Sequence, residues 1–359
     1  MSGRSRVIPV AVAVLALGPG GCSRRAAVIP RPPEATIRGE AGFLKGQLHL
    51  HSSRSGDGAT PPADVVRWYE ARGYDFIVFT DHDRVTAPPS TASMLVIPGV
   101  ELTQNLRRCD PPPPPGLHCL LHVNALFVTP PFAGLVPWGP AGGDDRLGRY
   151  RRALAVTKAL GGIAQLNHPN FHYAADAPLV TALAADGLRL MEIANQAWDS
   201  NNEPRDGHPS TEAIWDAVLS TGATVYGTAT DDAHHYDDAA EARARGDDVF
   251  VGDLGFVMVR ARKEPAAIRD ALARGDFYAS TGVVLKRIER TATTLEIEVS
   301  DRAVGPHQFS FIGENGRPLA RAEGRQASFP LANAAGGYVR VVVTDRAGHK
   351  AWVEPVRVP

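Results

Sequence analysis

The sequence has no excess of basic charge: 38 Lys and Arg stand against 39 Asp and Glu, a formal net charge of -1. It also has no Lys/Arg-rich run, so there is no electrostatic case for a nucleic-acid partner. Cysteine is scarce, with three in 359 residues. That excludes a thiolate-built structural zinc site and leaves any metal to nitrogen and oxygen donors. The apolar stretch Val7 to Leu17 is well short of the roughly 20 residues a membrane-spanning helix requires. What remains is ordinary for a soluble globular protein, with 44% apolar and 21% charged residues. The length suits one large domain and a smaller one.

Arg4 and Arg6 precede the apolar stretch, and Gly18-Pro19-Gly20-Gly21-Cys22 follows it. A basic start, a short apolar segment and small residues read as a secretory signal over residues 1–22. Small residues before Cys22 resemble a bacterial lipoprotein signal, in which that Cys carries lipid, although Pro19 matches the motif poorly. Plain secretion is the alternative. The expectation is an exported chain in the cell envelope or periplasm, anchored to the membrane through Cys22 or otherwise secreted. Residues 23–42, with Pro30, Pro32 and Pro33, read as a linker. Cys109 and Cys119 flank a Pro-rich loop. Pairing in an oxidising compartment would stabilise by roughly 2–3 kcal/mol; the alternative is two free thiols.

From Phe43 the chain becomes patterned. Pro62 to Arg72 reads as a helix stopped by Gly73, and Phe76-Ile77-Val78-Phe79 as a buried strand ending in Thr80-Asp81-His82. The arrangement recurs. Met94 to Ile97 leads to Gly99-Val100-Glu101. A helix over Tyr150 to Leu160 precedes Ile163 to Leu166 and then Asn167-His168-Pro169. Leu188 to Met191 leads to Glu192, and a helix over Thr211 to Leu219 precedes Thr224 to Gly227 and then Asp231-Asp232-Ala233-His234. Apolar strands alternating with helices imply an α/β fold with parallel strands buried on both faces. In α/β barrels the chemistry sits at the C-terminal ends of the strands, where these His, Asp and Glu residues fall. After Gly282 short alternating segments predict a small antiparallel β-sandwich over 283–359, with no chemistry of its own.

Residues i and i+2 of a strand share a side, so His49 and His51 converge. The turn Ser55-Gly56-Asp57-Gly58 is able to fold a carboxylate back towards them. Asp81 adjoins His82 and is expected to orient that imidazole. Glu101, His122, His168, Asp232 and His234 complete a set of nine candidate metal ligands. Such a set favours Zn, Mn or Fe. It exceeds what one ion needs and suggests two or three divalent ions, with Glu101 as the bridge. Glu101, His234 and Asp81 are the candidate catalytic residues.

The ordered motifs His-x-His…Asp, Asp-His, Gly-Val-Glu, His, His-Pro and Asp-x-His resemble those of the PHP (polymerase and histidinol phosphatase) superfamily over roughly residues 43–282. The resemblance implies a distorted (β/α)7 barrel over 43–282 with a two- or three-metal centre that hydrolyses phosphoesters. Gly99-Val100-Glu101-Leu102-Thr103, His122-Val123-Asn124-Ala125, Asn167-His168-Pro169-Asn170, Trp215-Asp216, Asp231-Asp232-Ala233-His234-His235 and Phe277 to Gly282 resemble the carbaryl-hydrolase-like (CehA/McbA) branch. All nine residues match ligand positions. Asp57 stands where some relatives have His, which bears on the third metal. The insert around Pro111 to Pro115 departs from compact relatives.

The leading expectation is hydrolysis of a small-molecule phosphoester by metal-bound hydroxide, with Arg54 and Arg84 placed to meet phosphate. The alternatives are a carboxylic or carbamic ester or amide hydrolase with the same centre, and a non-catalytic cell-surface binding protein. No protein partner is indicated. His172 and His235 are candidates for substrate contact, and Glu192 and Asp231 for support around the ligands. His118, His208, His307 and His349 read as bland.

Overall fold

The computed structural model of the chain describes residues 42–129, 134–136, 138 and 145–358. The expected signal segment with Cys22 lies outside these residues, as does the expected linker apart from Gly42. The strands are β1 (Phe43–Gln47), β2 (Phe76–Phe79), β3 (Arg84–Val85), β4 (Leu95–Leu106), β5 (Cys119–Leu126), β6 (Gly134–Leu135), β7 (Ile163–Leu166), β8 (Leu190–Asn195), β9 (Tyr226–Thr230), β10 (Phe256–Arg260), β11 (Phe277–Ser280), β12 (Leu285–Arg290), β13 (Thr294–Val299), β14 (His307–Gly313), β15 (Arg317–Gly324), β16 (Gln326–Pro330), β17 (Gly337–Thr344) and β18 (Lys350–Val358). The helices are α1 (Pro62–Ala71), α2 (Arg146–Ala159), α3 (Ala177–Ala185), α4 (Thr211–Ser220), α5 (Ala239–Arg245) and α6 (Pro265–Arg274). Among the described residues no helix is long and apolar enough to cross a membrane.

Local chemistry accounts for the helix boundaries. Pro62 opens α1, which buries Val65, Val66, Trp68 and Tyr69 on one side. Ser210 caps α4 by accepting from the Ala213 N–H. α2 begins four residues before the expected Tyr150, at Arg146, because the Asp145 side chain accepts from the Gly148 N–H and holds an extra first turn.

The fold is mixed α/β around one large sheet, in the order β15-β14-β17-β18-β11-β10-β1-β2-β4-β5-β7-β8-β9. Its strands are not all parallel, as the alternation of helix and strand had suggested. β1–β2, β2–β4, β7–β8 and β8–β9 are parallel. β5 runs antiparallel between β4 and β7, and β10 runs antiparallel to β1. β4 turns back into β5 without a crossover helix, and a parallel pair needs a crossover. β4 is also far longer than Met94 to Ile97, because residues 99–106 find partners along β5. Glu101 and His122 therefore lie inside strands, not after them. The Cys109–Cys119 disulfide, with Cα atoms 6.1 Å apart, ties off the insert between these strands.

The far edge of the sheet comes back towards its middle. Tyr226 of β9 packs edge-on against Phe277 of β11 at 6.2 Å. The Gly227 N–H donates to the Glu354 carboxylate on β18.

Beyond Gly282, β12, β13 and β16 form a separate three-stranded antiparallel sheet. β14, β15, β17 and β18 instead extend the large sheet, through Tyr278↔Val353 and its neighbours on β11. Phe311 of β14 stacks on Phe329 of β16 at 5.1 Å, so apolar faces of the two sheets meet. One apolar core runs from Phe43, Tyr69 and Tyr278 into Leu295, Phe309 and Val341. A buried ion pair crosses the same seam. The Arg340 guanidinium on β17 donates twice to the Asp216 carboxylate of α4, at 2.7 and 2.6 Å, and Tyr338 Oη donates to it at 2.7 Å.

Arg340 is 1% exposed, so removing its partner strands a charge away from water. Asp216→Ala should cost about 3–5 kcal/mol. Urea unfolding checks this, and a cost below about 1 kcal/mol would contradict the assignment.

Candidate metal centre

The ligand candidates gather because short elements deliver them from several directions. β1 ends at Gln47, and Leu50 then bridges to Ala233. His49 and His51 flank Leu50 and point together, with their Nε2 atoms 3.1 Å apart. His82 follows β2, His168 follows β7, and Asp232 and His234 follow β9. Asp232 sits in the left-handed region at φ 53°, a strained conformation for a residue with a side chain.

Three groups of ligand atoms result. His49, His51 and Glu101 form the first, Glu101, His122 and His168 the second, and His51, Asp57, His82 and His234 the third. Glu101 belongs to the first two. Its Oε1 lies 3.5 Å from His49, 3.1 Å from His122 and 3.6 Å from His168. Its Oε2 lies 3.4 Å from His51 and 2.8 Å from His82. Asp232 Oδ1 is 3.2 Å from His49 Nε2 and 3.1 Å from His51 Nε2. Asp57 Oδ2 reaches His82 Nε2 at 3.0 Å and His234 Nε2 at 3.3 Å. All nine candidates are thus brought together. Asp57 is the exposed member, and His49, His51 and Glu101 are fully enclosed.

Imidazole ligands need one nitrogen tied outward and the other left with a lone pair. Five of the six histidines meet that condition. His49 Nδ1 binds Glu192 at 2.7 Å and His51 Nδ1 binds Ser55 Oγ at 2.8 Å. His82 Nδ1 meets Thr103 Oγ1 at 2.8 Å, His122 Nε2 meets Asn105 at 2.8 Å, and His234 Nδ1 meets the Asp232 carbonyl at 3.0 Å. In each case the second nitrogen faces the cluster. Glu101 Oε2 is buried and takes part in no hydrogen bond, despite the imidazoles around it. An orphaned carboxylate oxygen facing inward nitrogens fits divalent cations with nitrogen and oxygen ligands.

The electrostatics agree. Burial alone would raise Glu101 and Asp232, yet neighbouring imidazoles, His49 foremost, hold both well below the ordinary carboxylate range. Burial opposes a proton on His49, but Asp232, Glu192 and Glu101 outweigh it and push its pKa well up. His51 is pushed down to about 3 by burial and by His234 and His82. Only one hydrogen fits between the facing Nε2 atoms, and it sits on the His49 side.

Glu192 is the hub of the supporting network. Its carboxylate accepts from His49, Thr230 Oγ1, Gln165 Nε2, Asn195 Nδ2 and the His168 N–H. Asn195 donates also to Asp232 at 3.1 Å, and Asn167 donates to Glu101 at 2.8 Å.

Other expectations fall elsewhere. The Asp81 carboxylate accepts from the Ser52 N–H and hydroxyl; it fixes the turn after His51 and does not hold the His82 ring. Asp231 accepts from the N–H groups of Asp253, Leu254 and Gly255, and burial pushes it up to about 6. His235 Nδ1 accepts from the Phe250 N–H and His172 Nδ1 from the His118 N–H. Arg54 is exposed and Arg84 half-buried. Among the described residues neither forms an ion pair with the nine.

Sequence reasoning missed Ser55, Thr103, Asn105, Asn167 and Asn195. For two of them a signal was present: Glu101, Thr103 and Asn105 alternate along β4 and share a side of the strand.

No protein-family model matches the chain. No curated protein matches it either. Among solved structures, it is similar to a two-domain protein from Bacteroides vulgatus described as containing a predicted PHP-like metal-dependent phosphoesterase. That likeness has 20% identity, a TM-score of 0.46, and covers 90% of this chain and 99% of the other. A β-glucuronidase from Ruminococcus gnavus, in complex with D-glucuronic acid, is similar over 22% of this chain and 15% of its own, with 19% identity and a TM-score of 0.15. Likenesses of this size say nothing of the chemistry.

Glu192→Gln places an amide among five donors and should weaken divalent-metal affinity about 10–100-fold, read by competition with a chromogenic chelator. The same titration should show affinity rising from about pH 6 to about pH 8, because protons held on His49 and His82 must leave before coordination. Unchanged affinity in the variant, or affinity falling with pH, would refute this account.

Proposed function

We propose that this chain is a metal-dependent hydrolase of the PHP type, acting on a small-molecule phosphoester. The observation that supports it is the grouping of His, Asp and Glu ligand atoms around Glu101 in three adjoining sets. In this reading the strands from β1 to β11 make a distorted barrel and the segment after Gly282 a β-sandwich beside it. Two or three ions of Zn, Mn or Fe are held, one by His49, His51, Asp232 and Glu101, another by Glu101, His122 and His168, and a third by Asp57, His82 and His234. When bound, such ions bring the pKa of water towards neutrality and stabilise charge developing on the substrate.

The protein's part is to hold the donors and keep them in the right protonation state. Glu101 and Asp232 stay ionised among imidazoles. Ser55, Thr103, Asn105 and Glu192 fix which imidazole nitrogens face inward. Phe171 lies edge-on against His168 at 5.0 Å and Phe250 lies 5.6 Å from His234, giving the centre an apolar wall on either side.

A second reading, cleavage of a carboxylic or carbamic ester or an amide, is favoured by one observation. Among the described residues no Lys or Arg is ion-paired with any of the nine, so no guanidinium is fixed there for phosphate. We also read the chain as exported and tethered through Cys22; the Cys109–Cys119 disulfide supports an oxidising compartment.

Metal analysis of the purified chain, followed by an aryl phosphate and an aryl carbamate on the same sample, tests these readings. Turnover with Mn or Zn is expected on the phosphate, and His49→Ala or Glu101→Ala should lower kcat/KM by at least ~10²-fold. An unchanged rate in either variant sinks the site, and faster carbamate turnover hands the function to the second reading.

A further inference from the structure

The segment that follows β8 carries a carboxyl group that the metal centre does not use. Asn195 ends β8 and divides its amide between two jobs. Its Nδ2 donates to Asp232 Oδ2 and Glu192 Oε2, at 3.1 and 2.9 Å. Its Oδ1 accepts from the Ala197 N–H at 2.9 Å and Ser200 Oγ at 2.7 Å. The turn from Ala197 to Ser200, closed by the Ser200 N–H on the Ala197 carbonyl, is thus pinned to the residue that positions a metal ligand. On its outer side Trp198 lies parallel to Phe250 with centroids 6.2 Å apart, and Phe250 lies against His234. Between these two attachments stands Asp199.

Asp199 is half-buried, and its side chain forms no hydrogen bond or ion pair with another of the described residues. The charged groups facing it are Asp232, His168 and Asp248. Partial burial beside two carboxylates favours the protonated form, and its pKa is raised from the ordinary aspartate value. A carboxyl held at a fixed place at the rim of a hydrolytic centre, with no structural bond to keep it there, is available to donate a proton.

We propose that Asp199 is the general acid of this site, protonating the oxygen of the departing alcohol or phenol. The inference rests on the hydrolase reading above. The attacking water oxygen bonds to phosphorus, the bond from phosphorus to the leaving oxygen breaks, and its electron pair stays on that oxygen. The leaving oxygen takes the Asp199 proton, and the resulting carboxylate is reprotonated from solvent by the proton the water gave up. The products are the free hydroxyl compound and phosphate, with no outside reactant except water. At a carboxylic or carbamic ester the same donor serves the same oxygen.

The test uses the metal-loaded chain, Asp199→Asn, Asp199→Glu, and two substrates of each ester class. One carries 4-nitrophenolate, which leaves without a proton, and the other phenolate, which leaves poorly without one. Asp199→Asn should lose about 10²-fold in kcat on the phenyl ester and less than about 3-fold on the nitrophenyl ester. Its metal content and thermal midpoint should match the parent, and Asp199→Glu should recover part of the phenyl-ester rate. Equal losses on both leaving groups, or no loss on either, would overturn the general-acid role while leaving the hydrolase reading standing. A parent chain that holds its metals and cleaves none of the four substrates would sink both.

Discussion

Every other feature of this site follows from one crowded carboxylate. Glu101 sits out of water with five imidazoles within 3.6 Å of its two oxygens. Charge in so dry a place must be matched, and imidazoles alone match it only by carrying protons. Divalent ions do so without that requirement, and they convert mutual crowding of donors into coordination. The alternation along β4 then has a purpose. The strand that carries Glu101 also carries Thr103 and Asn105, so one stretch of backbone sets the shared carboxylate and the outward partners of two of its imidazoles.

The same economy holds at β8. Glu192 and Asn195 touch His49, His168 and Asp232, residues far apart in sequence, and make their positions depend on each other. A set of ligands wired through shared partners holds its geometry as a unit. The mixed direction of the sheet serves this arrangement, because the antiparallel return of β5 beside β4 puts His122 opposite Thr103. A parallel crossover would have moved the two apart.

Much of this could be read from the residues, and the reasons for the remainder are physical. The nine donors were visible because His, Asp and Glu recur just beyond apolar runs, a placement with few structural uses. Their partners were not, because Ser, Thr and Asn serve as caps and turn residues throughout a chain and only contact reveals which ones hold a ring. Asp81 shows the opposite error: adjacency to His82 suggested contact with its ring, but neighbours in an extended segment point apart, and the carboxylate found Ser52. The helices at 62–71 and 211–220 were legible from their starts and stops. β15 and β16 were not foreseen, since Arg317 to Gly324 has charged and small residues without alternation and lies largely exposed. The merging of the last strands into the large sheet left no trace in local pattern, because pairing between distant strands is written in register, not composition.

The position of β18 has a consequence for how the molecule is assembled. It follows every other strand in the chain, yet it pairs with β11 near the middle of the strand order. Until it emerges from the ribosome, β11 presents an unpaired edge, a template for wrong pairing with another chain. Its contact order is correspondingly high, which slows the final closure. All nine donors are synthesised long before this strand, so the nascent chain offers metal ligands on a sheet that is still open at one side. Folding as a single late event, after the whole chain is released, is the order that this topology rewards.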